Sequence, residues 1–271
     1  MLKSCFSAAV LLASPFASAQ SGGVTEEPIV ERVADEAPHR WTVGLALSIS
    51  DSAYAGEDTR LRPFPLITFE GERFFWRGLG GGFHLFERGG FTLDAVASGR
   101  FDGFDIDDLG RRELAANGVD ARLLEDRDDG LDVGIAATWS GRAGEFKLRA
   151  LADATDTSGG YEIAADYGYP VHLGRATVVP AVGLRWMSKD LANYYYGTLD
   201  EEVARGVARY RPGSVLVPQV GVGFLRPLGA KWSLFGSIDY KFLPDELTDS
   251  PLLDPDASGS AGFRIGFSRS F

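Results

Sequence analysis

Cysteine is almost missing from this chain of 271 residues: the single one is Cys5. It lies in a stretch that reads as a secretory leader. Lys3 supplies a minimal positive start, Phe6 to Phe16 an apolar run, and Ala17-Ser18-Ala19 a small-residue cleavage site. The rest of the chain therefore offers no disulfide, no thiolate nucleophile and no cysteine-ligated zinc. Histidine is scarce too, with His39, His84 and His172 only. No Gly-x-Ser-x-Gly elbow and no His-Glu-x-x-His pair occurs. The reading is a non-enzyme without catalytic residues, cofactor or metal site. Basic charge is short, with 27 Lys and Arg against 38 Asp and Glu and a net charge of −11. That balance excludes nucleic acid as a natural partner. Long apolar runs are also absent. Nothing approaches 18 consecutive apolar residues, so no helix is expected to cross a membrane.

Alternation fills the place of those runs. Trp41, Val43, Leu45, Leu47 and Ile49 oppose Thr42, Gly44, Ala46 and Ser48. Leu131, Val133, Ile135, Ala137 and Trp139 do the same, as do Trp232, Leu234, Ile238, Tyr240 and Phe242. Successive strand side chains point to opposite faces, so each segment has one greasy and one small or polar face. The last segment alternates through Phe263, Ile265, Phe267 and Phe271, interrupted by Arg269. Many runs are longer than the ~5–6 residues of a globular strand and match the roughly 9–11 of a tilted membrane strand.

Connections alternate in length. Gly71-Glu72, residues 87–90, 141–144, 174–175 and 226–230 are short; residues 51–60, 103–128, 189–213 and 244–258 are long. Short turns on one side and long loops on the other are the asymmetry of outer-membrane barrels. Strong strand segments begin at 41, 62, 73, 91, 130, 145, 161, 176, 214, 231 and 259. Splitting Arg73–Phe86 at Gly80-Gly81-Gly82 makes the count even, with Phe74 to Leu79 rising and Phe83 to Phe86 returning. The expected fold is all-β: a transmembrane antiparallel up-and-down barrel of twelve strands with both termini periplasmic. Residues 1–19 form the signal peptide, 20–40 a flexible periplasmic lead and 41–271 the barrel. Such a chain resides in the Gram-negative outer membrane as a monomer, among lipid and lipopolysaccharide. The barrel-assembly machinery would insert it, with Phe271 as the assembly signal.

Asp94, Arg100, Lys147, Arg149, Asp153, Glu162, Asp166, Arg185, Asp239, Lys241 and Arg264 fall opposite the apolar faces. They read either as an ion-pair network filling a narrow lumen or as the lining of a pore for small charged or polar solutes. The acidic stretch from Asp105 to Asp129 reads as a solvated loop or a divalent-cation site, without the glycine and spaced glutamate of an EF-hand. Tyr194, Tyr195 and Tyr196 are candidate ligand or partner contacts, or else packing aromatics. Strand alternation would send Tyr194 and Tyr196 one way and Tyr195 the other.

Several short motifs then fall into one order. They are Tyr54-Ala55-Gly56; Pro65-Leu66-Ile67 before Gly71-Glu72-Arg73-Phe74-Phe75; Arg100-Phe101-Asp102-Gly103-Phe104; Ser158-Gly159-Gly160; Asn193-Tyr194-Tyr195-Tyr196-Gly197; Tyr210 before Pro212-Gly213; and Asp249-Ser250-Pro251. Together they resemble the MipA/OmpV outer-membrane proteins over nearly all of Trp41 to Phe271. Thr198 stands where the family pattern has valine, and the Asp105–Asp129 loop is unusually acidic. The resemblance implies a twelve-stranded outer-membrane barrel. It also implies a structural role that docks murein hydrolases or synthases on the periplasmic side, with permeability and surface adhesion as the family's other associations.

Overall fold

The computed structural model describes residues 40–271. The expected signal peptide with Cys5 and the expected lead through His39 lie outside the described residues. Thirteen strand segments form one sheet: β1 Trp41–Ser50, β2 Arg60–Glu70, β3 Phe74–Arg77, β4 Gly80–Arg88, β5 Phe91–Arg100, β6 Gly130–Gly141, β7 Gly144–Asp153, β8 Tyr161–Gly168, β9 Val171–Leu173, β10 Ala176–Met187, β11 Val215–Pro227, β12 Trp232–Phe242 and β13 Gly259–Ser270. Apart from β8 and β9, each is antiparallel to its neighbours in chain order. β8 and β9 both pair with β10, so they are one wall position interrupted at Tyr169-Pro170. β13 returns to β1 from Thr42↔Ser270 to Ser50↔Gly262 and closes the sheet. The result is a closed barrel of twelve wall positions.

Alternation is read out as an inverted burial pattern. Outward Ile238 and Val182 are 61% and 56% exposed, while inward Asp94 and Arg100 are 1% and 2% exposed. Aromatic rings run around the outside near the short turns. Trp41, Phe69, Phe74 and Phe83 follow one another at centroid separations of 4.7, 6.0 and 5.4 Å. Phe86, Phe91, Trp139 and Phe146 continue the series at 6.0, 4.9 and 5.6 Å. Such a belt suits the boundary between lipid and water, where an amphipathic ring rests best. Arg269, the break in the last strand's apolar face, belongs to this belt. Its guanidinium lies 5.7 Å from the Trp232 ring and 4.9 Å from the Phe271 ring.

The hairpin of β3 and β4 differs from the expectation. The turn is at Gly78-Leu79, with Gly78 at φ 56°, and Gly80, Gly81 and Gly82 are strand residues of β4. Glycine is there because of Phe75. That ring is buried inside the barrel, and a Cβ on Gly82 would stand 2.7 Å from its Cζ and 2.2 Å from the Ala95 carbonyl oxygen. Within the run that looked like a turn signal, Gly82 leaves room for an aromatic side chain. β3 is consequently only four residues long.

The long loops are not open coil. They carry helices α1 Arg111–Ala116, α2 Lys189–Tyr196, α3 Asp200–Arg205 and α4 Asp245–Thr248. Two apolar clusters hold them together. One joins Tyr54, Phe104, Leu109, Leu114, Val119, Leu252 and Leu253; the other joins Met187, Leu191, Tyr195, Val215, Val217 and Leu247.

Replacing Gly82 by alanine should cost about 1–3 kcal/mol through overpacking against Phe75 and Ala95. Urea unfolding of the vesicle-inserted barrel measures this, and an unchanged midpoint would remove the role given to the glycine.

Candidate functional site

The lumen is layered. At the short-turn end Glu70, Arg77, His84 and Asp94 surround Phe75. His84 places Nδ1 2.7 Å from Asp94 and Nε2 3.0 Å from Glu70. Its ring stacks on Phe75 at 4.9 Å, and Arg77 reaches Glu70 at 2.9 Å. Higher up, Arg100 is the hub. It contacts Asp132 at 2.5 Å, Asp102 at 2.8 Å and Glu162 at 3.2 Å. Arg185 lies 3.5 Å from the same Glu162, and Arg149 lies 3.3 Å from Asp166. Gln219 donates to Asp166 at 2.9 Å. Apart from Asp102 in the loop after β5, the members of this cluster come from six different strands, and alternation puts them on one face. Buried charges persist only with partners, and here the partners come from neighbouring and nearby strands of the wall.

Asp239 and Arg264 sit elsewhere. With Lys241, Arg60, Asp102, Tyr54 and Tyr196 they line a cavity of about 120 Å³ between the wall and the loops above it. Burial alone would raise the Asp102 carboxyl, but Arg100, Arg185 and Lys241 hold it below the usual range. Burial and the nearby Asp102 push Tyr196 up to about 12. Tyr54 is raised by burial and then by Tyr196, whose ring stacks on it at 5.9 Å.

The three consecutive tyrosines are helical, not alternating, because α2 begins at an N-cap where Ser188 accepts from the Leu191 amide. Tyr195 is 1% exposed and donates to the Asp128 carbonyl at 3.3 Å. Tyr194 accepts from the Asp128 amide at 2.9 Å. Tyr54 donates to the Tyr195 carbonyl at 3.1 Å. The trio thus ties α2 to the acidic loop and to the first long loop.

One buried ion pair stands at the centre of this cover. Arg127 meets Glu202 at 2.8 and 3.0 Å, with both side chains fully inaccessible. Arg127 also donates to the Tyr194, Glu125 and Gly197 carbonyls. Glu202 accepts from the Glu125 and Leu199 amides at 2.9 and 2.7 Å. Nearly every polar atom of the pair is used, which is the condition under which a buried pair holds. Sequence reading passed over both residues. Arg127 is one of many charges in an acidic run, and its partner lies 75 positions away. The acidic run itself is dispersed. Asp126 accepts from the Ile106 amide at 2.8 Å, and no group of three or more carboxylates or histidines is placed to hold a metal among the described residues.

The family model described as MltA-interacting protein MipA matches residues 43–271. The chain belongs to the MipA family. The MltA-interacting protein of Escherichia coli K12 is 29% identical over 221 residues, covering 81% of this chain and 86% of its own length. Outer membrane protein YiaT of the same strain is 30% identical over 221 residues, covering 80% and 86%. Outer membrane protein OmpV of Vibrio cholerae is 26% identical over 153 residues, covering 56% and 59%. The apolar exterior, the aromatic belt and these relatives place this MipA-family barrel in the outer membrane.

Removing one partner of the Arg127–Glu202 pair should weaken the cover by about 3–5 kcal/mol. In Glu202→Ala, trypsin should cut the loop faster at Arg111, Arg112 and Arg122 while the barrel keeps its heat-modifiable gel mobility. Unchanged cleavage would contradict the central place given to the pair.

The raised tyrosines set an alkaline limit. A folded hydroxyl that holds its proton above the unfolded value stabilises the fold below that value. The stabilisation is lost as pH rises from the ordinary 10.0 toward about 12 for Tyr196. Phenolate absorbance should therefore show a late-titrating group that ionises as the cover loosens. Titration of every tyrosine near the ordinary value would refute it.

Proposed function

We propose that this MipA-family barrel is a non-enzymatic scaffold of the outer membrane that docks a murein-processing enzyme on the periplasmic side. The observation that carries the reading is the filled and covered lumen. Arg100, Asp132, Glu162 and Arg185 fill it at the long-loop end of the wall, and four long loops with their own apolar core lie over that end. A barrel packed in this way offers a rigid wall and two faces rather than a channel. With both termini periplasmic, the short turns and the N-terminal lead are the surfaces available to a cell-wall enzyme. The E. coli relative is named for its interaction with MltA, which supports a partner of this class. Phe271, 55% exposed beside Arg269, fits the role of an assembly signal for the barrel-assembly machinery. Lipid and lipopolysaccharide are the partners of the outer wall.

A second reading has one observation in its favour. The cavity beside Asp239, Lys241 and Arg264 is polar and has room for a small charged solute. On this reading the cover is a gate over a narrow pore.

Planar-bilayer recording separates the two. The scaffold predicts no stable conductance steps from the full chain. Discrete steps altered by Arg185→Ala or Asp239→Ala would replace it with the pore. A purified murein hydrolase from the same cell should be retained by the immobilised barrel, and less so when residues 20–40 are removed. Retention by neither form would end the docking proposal.

A further inference from the structure

The wall of the barrel is not complete. β2 pairs with β1 along its whole length, from Trp41↔Phe69 to Ser50↔Arg60. On its other edge it pairs with β3 only at Thr68, Phe69 and Glu70. One more bond, from the Gly78 amide to the Ile67 carbonyl at 3.1 Å, ends the contact. Residues 60–66 have no strand beside them on that edge among the described residues. The gap is bounded below by the Gly78-Leu79 tip and on the far side by the end of β5, where the Gly99 amide meets the Leu79 carbonyl at 3.2 Å. Two wall positions stop short there. At a strand spacing of ~4.8 Å the opening is about 10 Å across.

The sequence is adapted to that opening. The Ile67 carbonyl points to the β3 edge, so by alternation the backbone groups of residues 61, 63 and 65 point the same way. Two of these are Pro63 and Pro65, which have no amide hydrogen to leave unpaired. Proline on an exposed edge also blocks addition of another strand. The hairpin tip is a leucine, 42% exposed, whereas the short turns at the other end carry Glu72, Arg73, Arg142, Arg175 or Lys231. An uncharged tip on the outward apolar band faces hydrocarbon, not water. Directly inside the gap the lumen changes character. Phe64 and Leu66, which share the inward face of residues 60–66 with Arg60 and Arg62, pack with Ala46, Leu225 and Phe235 in an apolar patch.

We propose that this gap is a lateral portal through which an alkyl chain of a membrane lipid, from the leaflet on the long-loop side, reaches the apolar patch at Phe64 and Leu66. Hydrocarbon surrounds the opening, the prolines exclude a strand as occupant, and the patch behind it has the matching chemistry. The portal is independent of scaffold docking: it needs only the barrel's place in the membrane.

Quenching by acyl-chain-brominated phosphatidylcholine tests it. The full chain carries Cys5→Ser and one new thiol, is labelled with bimane in urea and refolded into the vesicles. Phe64→Cys reports the inward side of the gap, Ile67→Cys the outer wall, and Gln219→Cys an inward position on the continuous wall of β11. Bromolipid should quench the label at 64 nearly as well as at 67, and roughly threefold more than at 219. Heat-modifiable mobility verifies folding, and Leu66→Cys serves if Phe64→Cys does not refold. Quenching at 64 no greater than at 219 would overturn the portal. So would shielding at 64 accompanied by cross-linked pairs, which would assign the gap to a second copy of the chain.

Discussion

Everything in this molecule depends on satisfying backbone hydrogen bonds where there is no water. A strand in hydrocarbon has no solvent to take up a stray amide or carbonyl, and each one left over costs several kcal/mol. The closed ladder from β1 around to β13 answers that demand. Once the ladder is closed, the side chains have only two places to go, and the faces sort by polarity in the reverse of a soluble core. The same constraint explains the prolines of β2. Where the ladder is broken, two of the three residues whose backbone faces the break, Pro63 and Pro65, have no donor to leave bare.

Inside, a second constraint follows. Alternation brings the charged residues of neighbouring strands together on the inner face, and the lumen resolves into clusters around Arg100, His84 and Arg149 instead of a uniform lining. The cover over the long-loop end is built on different rules. It is a small helical and looped assembly with an apolar core and one sealed ion pair, closer to a soluble domain than to membrane loops. MipA-family architecture in this chain is thus a membrane wall joined to a packed lid, meeting at a cavity edged by Tyr54 and Tyr196.

The wall was largely legible in the sequence because a period of two is a local signal. Leu131 to Trp139 or Trp232 to Phe242 declares its face without knowledge of the neighbours. The lumen charges were legible for the same reason, since they are the other half of each alternation. The lid was not. Arg127 and Glu202 belong to different loops, and nothing local distinguishes them from the exposed charges beside them. Asn193 to Gly197 was read with the strand period although Ser188 and Asp190 mark a helix start. The glycines at 80–82 misled for a related reason: Gly82 answers to the ring of Phe75, which lies on the neighbouring strand and not beside it in sequence.

The seam between β1 and β13 has a consequence for how the protein comes into being. Thr42 and Ser270 bring their hydroxyl oxygens to 3.3 Å across 228 positions of sequence. The first strand therefore waits for the last, and no partial chain can shelter its edges. Contacts of such separation make folding slow, because the loop must close before the pairing rewards it. Until that moment two unpaired edges with an apolar face are open to any other chain.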